Sequence, residues 1–516
     1  MKKIYILLFA LAFAIYANAQ WVNDPATNTC LANTSSDAGE VYMASSPNGS
    51  IYIQWSQFGG NGWSPTIQKV SPTGEPEWDD NGIHPSYHQM ASWSQGFAMT
   101  ATSDNAVVTC FSTEAGHTIA IKIDADGTYT WGEQGLTLFG GAGNSRTELL
   151  AGDDGGVWAL GTDIDNGKTY ICYIEADGTL NPTITISDNS GKLCMFALMV
   201  PTDNGVYVVY EKEQWAYTYF YEKEIWVEGY SKDGEMLSTP TRLMAPQTIG
   251  GSYCHYVVPD GLGGGYVYIW HPAIGNAFNT YVFHFDSNGG STIQEPDGVP
   301  VHTADPNFYY LDANATVDPT SHDLLITYIE TDAQFQTLCR IYVNRITMSG
   351  YKTWDDGMVI LDNGTTNCSD LLIDTFPNSG FSLIYNEGDY ASEIKAKGFD
   401  MECNELWTTV MSSQSYPRAM CKNTTGFHGG QNIVAWVNSS TGGLYGQNIG
   451  TNGDMGEIEP TALPDIEYEE IETVTAVYNI NGQVVNCIDI NRLTQGIYII
   501  EGITASGKQT IQKVIK

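Results

Sequence analysis

The chain has 516 residues, 59 Asp and Glu against 22 Lys and Arg, a formal charge of −37, and 42% hydrophobic and 12% aromatic residues. So acidic a chain repels polyphosphate, which argues against nucleic acid as a partner, and so much apolar and aromatic material argues against intrinsic disorder. Its ten cysteines follow neither a zinc spacing nor a dense disulfide framework, and Cys110 and Cys172, in predicted strands, read as small apolar core residues.

The N-terminus reads as a signal peptide over 1–19: Lys2 and Lys3, an apolar stretch from Ile4 to Tyr16, then the small-residue site Ala17-Asn18-Ala19. Cleavage leaves Gln20 first and takes the charge two units further negative. No later run reaches the roughly 18 apolar residues of a spanning helix, so a soluble exported chain without a transmembrane segment is expected.

One unit then recurs: a β-branched and aromatic strand, a variable loop, a second strand, a glycine turn and often a tryptophan. The first copy is Ile51 to Trp55, Ile67 to Val70, Gly74 and Trp78; the second is Val107 to Phe111, Ile119 to Ile123, Asp126-Gly127 and Trp131. Later turns fall at Asp177-Gly178, Asp233-Gly234, Asn288-Gly289, Ser349-Gly350 and Asn452-Gly453, with Asn404 in the glycine position of one copy. Asp-Gly and Asn-Gly supply positive φ, so each turn joins antiparallel neighbours. A period of about 50 residues with some four short strands, each unit needing a neighbour to bury its face, predicts an all-β fold. The expected form is an eight-bladed β-propeller over 20–456, with seven blades as the alternative. The motif from Ile121 to Trp131 resembles the blades of secreted bacterial propellers that read Ile-x-Ile-Asp-x-x-Gly-x-x-x-Trp. The eighth copy, Ile433 to Val437 and Leu444 to Ile449, lacks a following tryptophan, whereas Trp21 stands alone near the mature N-terminus. Trp21 is therefore expected to complete the last blade and close the ring, which removes open sheet edges.

An acidic, proline-containing linker is read at 457–473, then a small β-sandwich domain at 474–516. Its Asn481-Gly482 hairpin, Leu493-x-x-Gly496-x-Tyr498 segment, Gly507-Lys508 turn and Lys513-Val514 strand resemble the C-terminal sorting domain of the type IX secretion system of Bacteroidota. That resemblance implies the secretion machinery as a partner, and a final location outside a Gram-negative cell or on its surface. A Tyr-Pro-Asn-Pro start common in such domains is missing.

Propellers commonly bind ligands where second-to-third-strand loops meet the connections between blades. Those segments are aromatic here, and the candidate ligand-binding residues are Trp63, Tyr87, His88, Trp93, Trp215, Tyr217, His255, His271, Tyr309 and Arg418. Exposed rings stack on sugar faces and apolar peptide side chains; the competing expectation is that many of them pack between blades. No Gly-x-Ser-x-Gly elbow, His-Glu-x-x-His motif or phosphate loop occurs, so no catalytic residue is assigned and no cofactor is implied. A sialidase-like site would need three converging arginines, and Arg340 and Arg345 sit at odd spacing in one strand. No metal site is assigned either: Asp163-x-Asp165-x-Gly167 opens like a calcium loop, but its twelfth position is Ile174, which cannot ligate.

The sequence thus favours a monomeric, non-enzymatic binding protein for an extracellular glycan, peptide or protein. The alternatives are a polysaccharide-degrading glycoside hydrolase or lyase, and a structural surface or adhesion component.

Overall fold

The computed structural model describes residues 21–456, 471–479, 497–504 and 509–515, apart from short segments at 37, 59–61, 86–88, 91–96, 141–146, 252, 273–277, 334–337, 377–379, 389–392, 414–416, 423–429 and 439. The signal peptide, most of the acidic linker, and Asn481, Gly482, Leu493, Gly496 and Gly507 lie outside them.

Residues 21–456 form eight antiparallel sheets and, among the described residues, no helix. The count is eight blades, not seven. Blade two shows the plan: Phe97–Ala101 innermost, then Val107–Ser112, His117–Ile123 and Leu136–Gly140 outermost, each hydrogen-bonded to the next. In blade one, Gly39–Ser45, Ile51–Phe58 and Trp63–Val70 pair regularly, while among the described residues the outermost position is held by isolated bridges from Val70 to Pro76, Ile67 to Ile83 and Trp63 to Met90. The last blade is composite. Its inner three strands are Pro417–Lys422, Gln431–Asn438 and Leu444–Gly450, and the fourth is Thr29–Ala32, antiparallel to Leu444–Gly450.

Each blade hides both faces, so its second strand is apolar or compact throughout. Val107–Ser112 and Gln431–Asn438 are buried at every position. Side chains alternate between the two flanking cores. Ile433, Ala435 and Val437 pack towards blade one with Trp21, Leu31, Val41 and Ile53, while Val434 and Trp436 pack towards blade seven with Ile384 and Met411. Outermost strands face solvent, as the largely exposed Met358–Asp362 shows.

The turns before the outermost strands differ from two-residue hairpins with two positive φ angles. Only the glycine is left-handed, for example Gly127 at +85° and Gly178 at +89°. The Gly127 amide donates to Asp124 O (3.0 Å), and Asp124 Oδ1 accepts from the amides of Asp126 and Thr128. This is a type I turn followed by a left-handed residue. It also moves the exception by one position. In the copy without glycine, Asp400 accepts from the amides of Glu402 and Asn404, and Cys403, not Asn404, carries the positive φ of +65°.

The recurrent tryptophan clasps the next blade. Trp78 Nε1 donates to Ala125 O (3.4 Å), Trp131 Nε1 to Ala176 O (3.1 Å) and Trp407 Nε1 to Thr451 O (2.8 Å), each acceptor being the second residue of the following blade's turn. Trp21 makes the same bond to Pro72 O at 2.9 Å. The turn glycine is required twice over: a Cβ on Gly178 would meet the Trp131 ring at 2.9 Å, and one on Gly74 would meet Trp21 at 2.7 Å. Where tryptophan is missing, another donor serves. Asn181 Nδ2 bonds Lys232 O (3.2 Å), and Tyr207 Oη bonds Ser287 O (2.8 Å).

Residues 459–516 are a separate unit. Their described part is one three-stranded antiparallel sheet, in the order Ile471–Asn479, Ile497–Thr504, Gln509–Ile515, which holds Tyr498 and Lys513 on its second and third strands.

Candidate ligand-binding site at the channel mouth

Blade four breaks the repeat. Its strands, Leu193–Thr202, Gly205–Tyr217, Phe220–Tyr230 and Met236–Gly250, outrun those of blade two, and the two middle strands form a hairpin that rises beyond the core. At its tip Trp215, Tyr217 and Tyr219 are 66%, 57% and 83% exposed. Tyr217 stacks on Phe220 with ring centres 4.9 Å apart, and Trp215 pairs across the hairpin with Tyr221. Three large rings held in water on a rigid hairpin form an apolar surface that the fold itself does not use.

The stem of this hairpin is one wall of a cavity of about 810 Å³. The other walls come from the innermost strands of blades one to four, through Tyr42, Phe97, Leu149 and Leu193, and from Ile164 in the second-to-third-strand turn of blade three. Gly251 and Cys254, in the connection leaving blade four, complete the rim. These turns and connections emerge on one face of the ring, so the cavity sits at that mouth of the channel.

Beneath this wall lies a buried ionic cluster. Lys223, with no exposure, sits 2.7 Å from Glu211 Oε2 and 2.8 Å from Glu213 Oε1, and donates to Tyr253 O at 2.8 Å. His255, also fully buried, places its backbone amide 3.0 Å and its Nδ1 2.9 Å from Glu211 Oε1, while Nε2 faces Val209 O at 3.2 Å. The Phe196 ring lies 5.1 Å from the ammonium. A buried ammonium needs such partners, because desolvation costs several kcal/mol per ion. The two carboxyl groups diverge. Burial opposes the charge of Glu211, but hydrogen bonds and charge from His255 and Lys223 outweigh it and hold the group below the usual range. Burial dominates at Glu213, helped by repulsion from Glu211, and pushes that carboxyl up to about 7. Glu213 also lines the cavity, so a carboxyl that titrates near neutrality faces any bound molecule.

The second acid in the lining, Glu148, accepts the Met199 amide at 2.8 Å. Among the described residues, no Lys, Arg or His lines the cavity. The wall is apolar and carboxylic.

The residues singled out from sequence are dispersed by the structure. Trp215 and Tyr217 stand at the exposed hairpin tip, and His255 is an interior member of the ionic cluster. Trp63 is half-buried against Phe58 in the core between blades one and two. His271 is buried and stacks on Tyr281 at 3.9 Å, and Tyr309 packs edge-on to Phe278. Arg418 lies on the innermost strand of the last blade, opposite Val437; Tyr87, His88 and Trp93 fall outside the described residues. Arg340 pairs with Glu330 and Asp362, and Arg345 with Asp318 and Asp323, so these two arginines do not converge. Asp163 accepts the amide and Nδ2 of Asn166 in a plain turn. The cavity residues Glu148, Ile164, Phe196 and Glu213 were not marked by sequence, since single apolar and acidic residues in strands and turns carry no signal distinct from core and surface.

No family model matches the chain, and no curated protein matches it. Among solved structures, it is similar to the β-propeller domain of the Trilobed protease from Pyrococcus furiosus, described as having an open velcro topology (12% identity over 71% of this chain and 98% of that one, TM-score 0.38). It is also similar to an ulvan lyase of a new polysaccharide lyase family (9% identity, 85% and 98% covered, TM-score 0.47) and to an α-L-arabinanase from Penicillium chrysogenum (13% identity, 65% and 98% covered, TM-score 0.35). At such identities and scores these likenesses transfer no activity.

Proposed function

We propose that this protein is an exported, non-enzymatic recognition protein that takes an extracellular glycan or peptide at the mouth of its propeller, its last forty residues serving as a type IX sorting domain. The pairing of Thr29–Ala32 with the last blade is read as the latch of the ring. The observation that carries the binding site is the continuity of the cavity with the exposed Trp215, Tyr217 and Tyr219 hairpin. A lining whose described residues are apolar and carboxylic, with Glu148 and Glu213 as its charged groups, favours a neutral or cationic ligand with apolar faces, because an anion would meet those carboxyls in a poorly hydrated space.

The test uses arrays of neutral, amino and acidic oligosaccharides and of peptides of either charge. Binding confined to neutral or cationic probes, and weakened at least tenfold by the combined W215A, Y217A and Y219A substitutions, is expected. Selective capture of uronate or sulfated probes overturns the charge argument; unchanged affinity in the triple variant overturns the site. Loss of residues 474–516 is expected to trap the protein inside the outer membrane, and normal export of that truncation overturns the sorting assignment.

One observation favours a second reading, polysaccharide cleavage: a cavity carboxyl that holds its proton near neutrality is what a general acid needs. Release of reducing ends or unsaturated sugars from a polysaccharide panel, abolished by Glu213→Gln, would establish it over the first.

A further inference from the structure

We infer that Cys339 and Cys368 form a disulfide that ties blade six to blade seven in the exported protein. Cys339 immediately precedes the third strand of blade six, Arg340–Ile346, and Cys368 opens the innermost strand of blade seven, Cys368–Phe376. They are 3% and 4% exposed and share one core with Leu371 and Phe399. Each thiol lies close enough to the other to perturb its ionisation.

The connection between the blades fixes their approach from both sides. The Cys339 amide donates to Gly364 O (2.9 Å), the Asn363 amide donates back to Cys339 O (3.0 Å), and Asn363 Nδ2 reaches Cys368 Sγ at 3.3 Å. Asn363 thus bridges the two positions, its backbone on Cys339 and its side chain on the Cys368 sulfur, which keeps both cysteines at one seam between the blades. The pair is also chemically uneven. The neighbouring Cys368 draws the Cys339 thiol below its ordinary range, and Cys339 in turn, with burial, pushes Cys368 up.

The reaction rests on the export reading, because it needs an oxidising compartment. The oxidant class is a thiol–disulfide oxidoreductase. The thiolate of one cysteine of the pair attacks the oxidoreductase disulfide, forming a mixed disulfide and releasing one of its sulfurs as thiolate. The other cysteine then loses its proton and attacks the sulfur of the first, releasing the second thiolate. The protein gives up two electrons and two protons, and the oxidoreductase ends as a dithiol. Since both cysteines are buried once the blades have packed, the exchange belongs to folding.

The test takes two samples of the full chain, one isolated from its own cells and one purified reduced and then refolded in oxidised glutathione. Both are alkylated under denaturing conditions, digested without reductant and analysed by mass spectrometry. Linked Cys339 and Cys368 peptides in both samples are expected, with a melting midpoint several degrees lower after reduction that C339A/C368A reproduces without reductant. Alkylated Cys339 and Cys368 in both samples overturn the pair. A link formed in glutathione but missing from the cellular sample keeps the geometry and overturns the export on which the inference rests.

Discussion

Blades two and four share a topology and differ in what their middle strands carry. Blade two keeps to the repeat: short strands, a glycine turn, the Trp131 clasp, and one buried cation, Lys122, which donates to Asp104 and to Gly155 O, both at 2.8 Å. Blade four has longer strands, no tryptophan after its turn, and a buried Lys223 set between two carboxylates, with aromatic rings above it in solvent. In blade two the cation joins a rim shared with blade three, and its carboxylate partner is half exposed. In blade four the cation is the foundation of a wall that faces a cavity. Departure from the repeat, more than any motif within it, marks the candidate site.

The largest effect that would test this contrast is the loss of the two cations. Lys223→Met leaves Glu211 and Glu213 without their counter-ion and is expected to destabilise the protein by about 3–5 kcal/mol, whereas Lys122→Met should cost only about 1–2 kcal/mol because Asp104 turns to water. Equal losses in denaturant unfolding would erase the distinction.

The pH dependence should run in opposite directions. Glu213 has a raised folded value, so its favourable contribution is complete below the ordinary Glu range and is lost as pH rises towards about 7; Glu213→Gln should flatten that slope. Asp104 is held low: burial opposes its charge, but the hydrogen bonds from Lys122 and Thr102 prevail. Its contribution is present above the ordinary Asp range and is lost on acidification below it. Stability curves for Glu213→Gln and Asp104→Asn that bend in the same sense would contradict this assignment.

Smaller effects concern the clasp. Trp131→Phe keeps the ring on Gly178 but removes the donor to Ala176 O, with an expected cost of about 1–1.5 kcal/mol. Cys403→Gly relieves a left-handed backbone at an otherwise glycine position and is expected to stabilise by about 0.5–1 kcal/mol, measured as a raised unfolding midpoint under reducing conditions.

The repeat was legible because its requirements are local. A left-handed turn asks for glycine, and an indole that must reach a carbonyl of the next blade's turn asks for tryptophan at a fixed offset, four residues after the glycine in Gly74 to Trp78 and Gly127 to Trp131. The second and third strands were legible because both their faces are buried. The innermost strands were not, since Leu193–Thr202 and Cys368–Phe376 mix buried, half-buried and exposed residues where they meet the channel. Turn chemistry also misled at Asn404, since asparagine is the ordinary stand-in for glycine, whereas Asp400 and the four-residue offset from Trp407 both put Cys403 in the strained position. The candidate site was half legible. Trp215 and Tyr217 stood out as rings in a long loop, but Glu211, Glu213 and Lys223 read as ordinary surface charge, because alternation in a strand does not reveal that a neighbouring connection folds over it. His255 was noticed for its chemistry, yet its partners lie across the blade, which only three dimensions supply.

The composite last blade has a consequence in time. Thr29–Ala32 leaves the ribosome roughly 400 residues before the strand it pairs with, so the earliest piece must wait, unpaired, for nearly the whole propeller to be made. Until then the growing arc presents a raw flank at each end, the condition in which β-rich chains stick to one another. Escort of the nascent chain until its last strand is made would serve this architecture well.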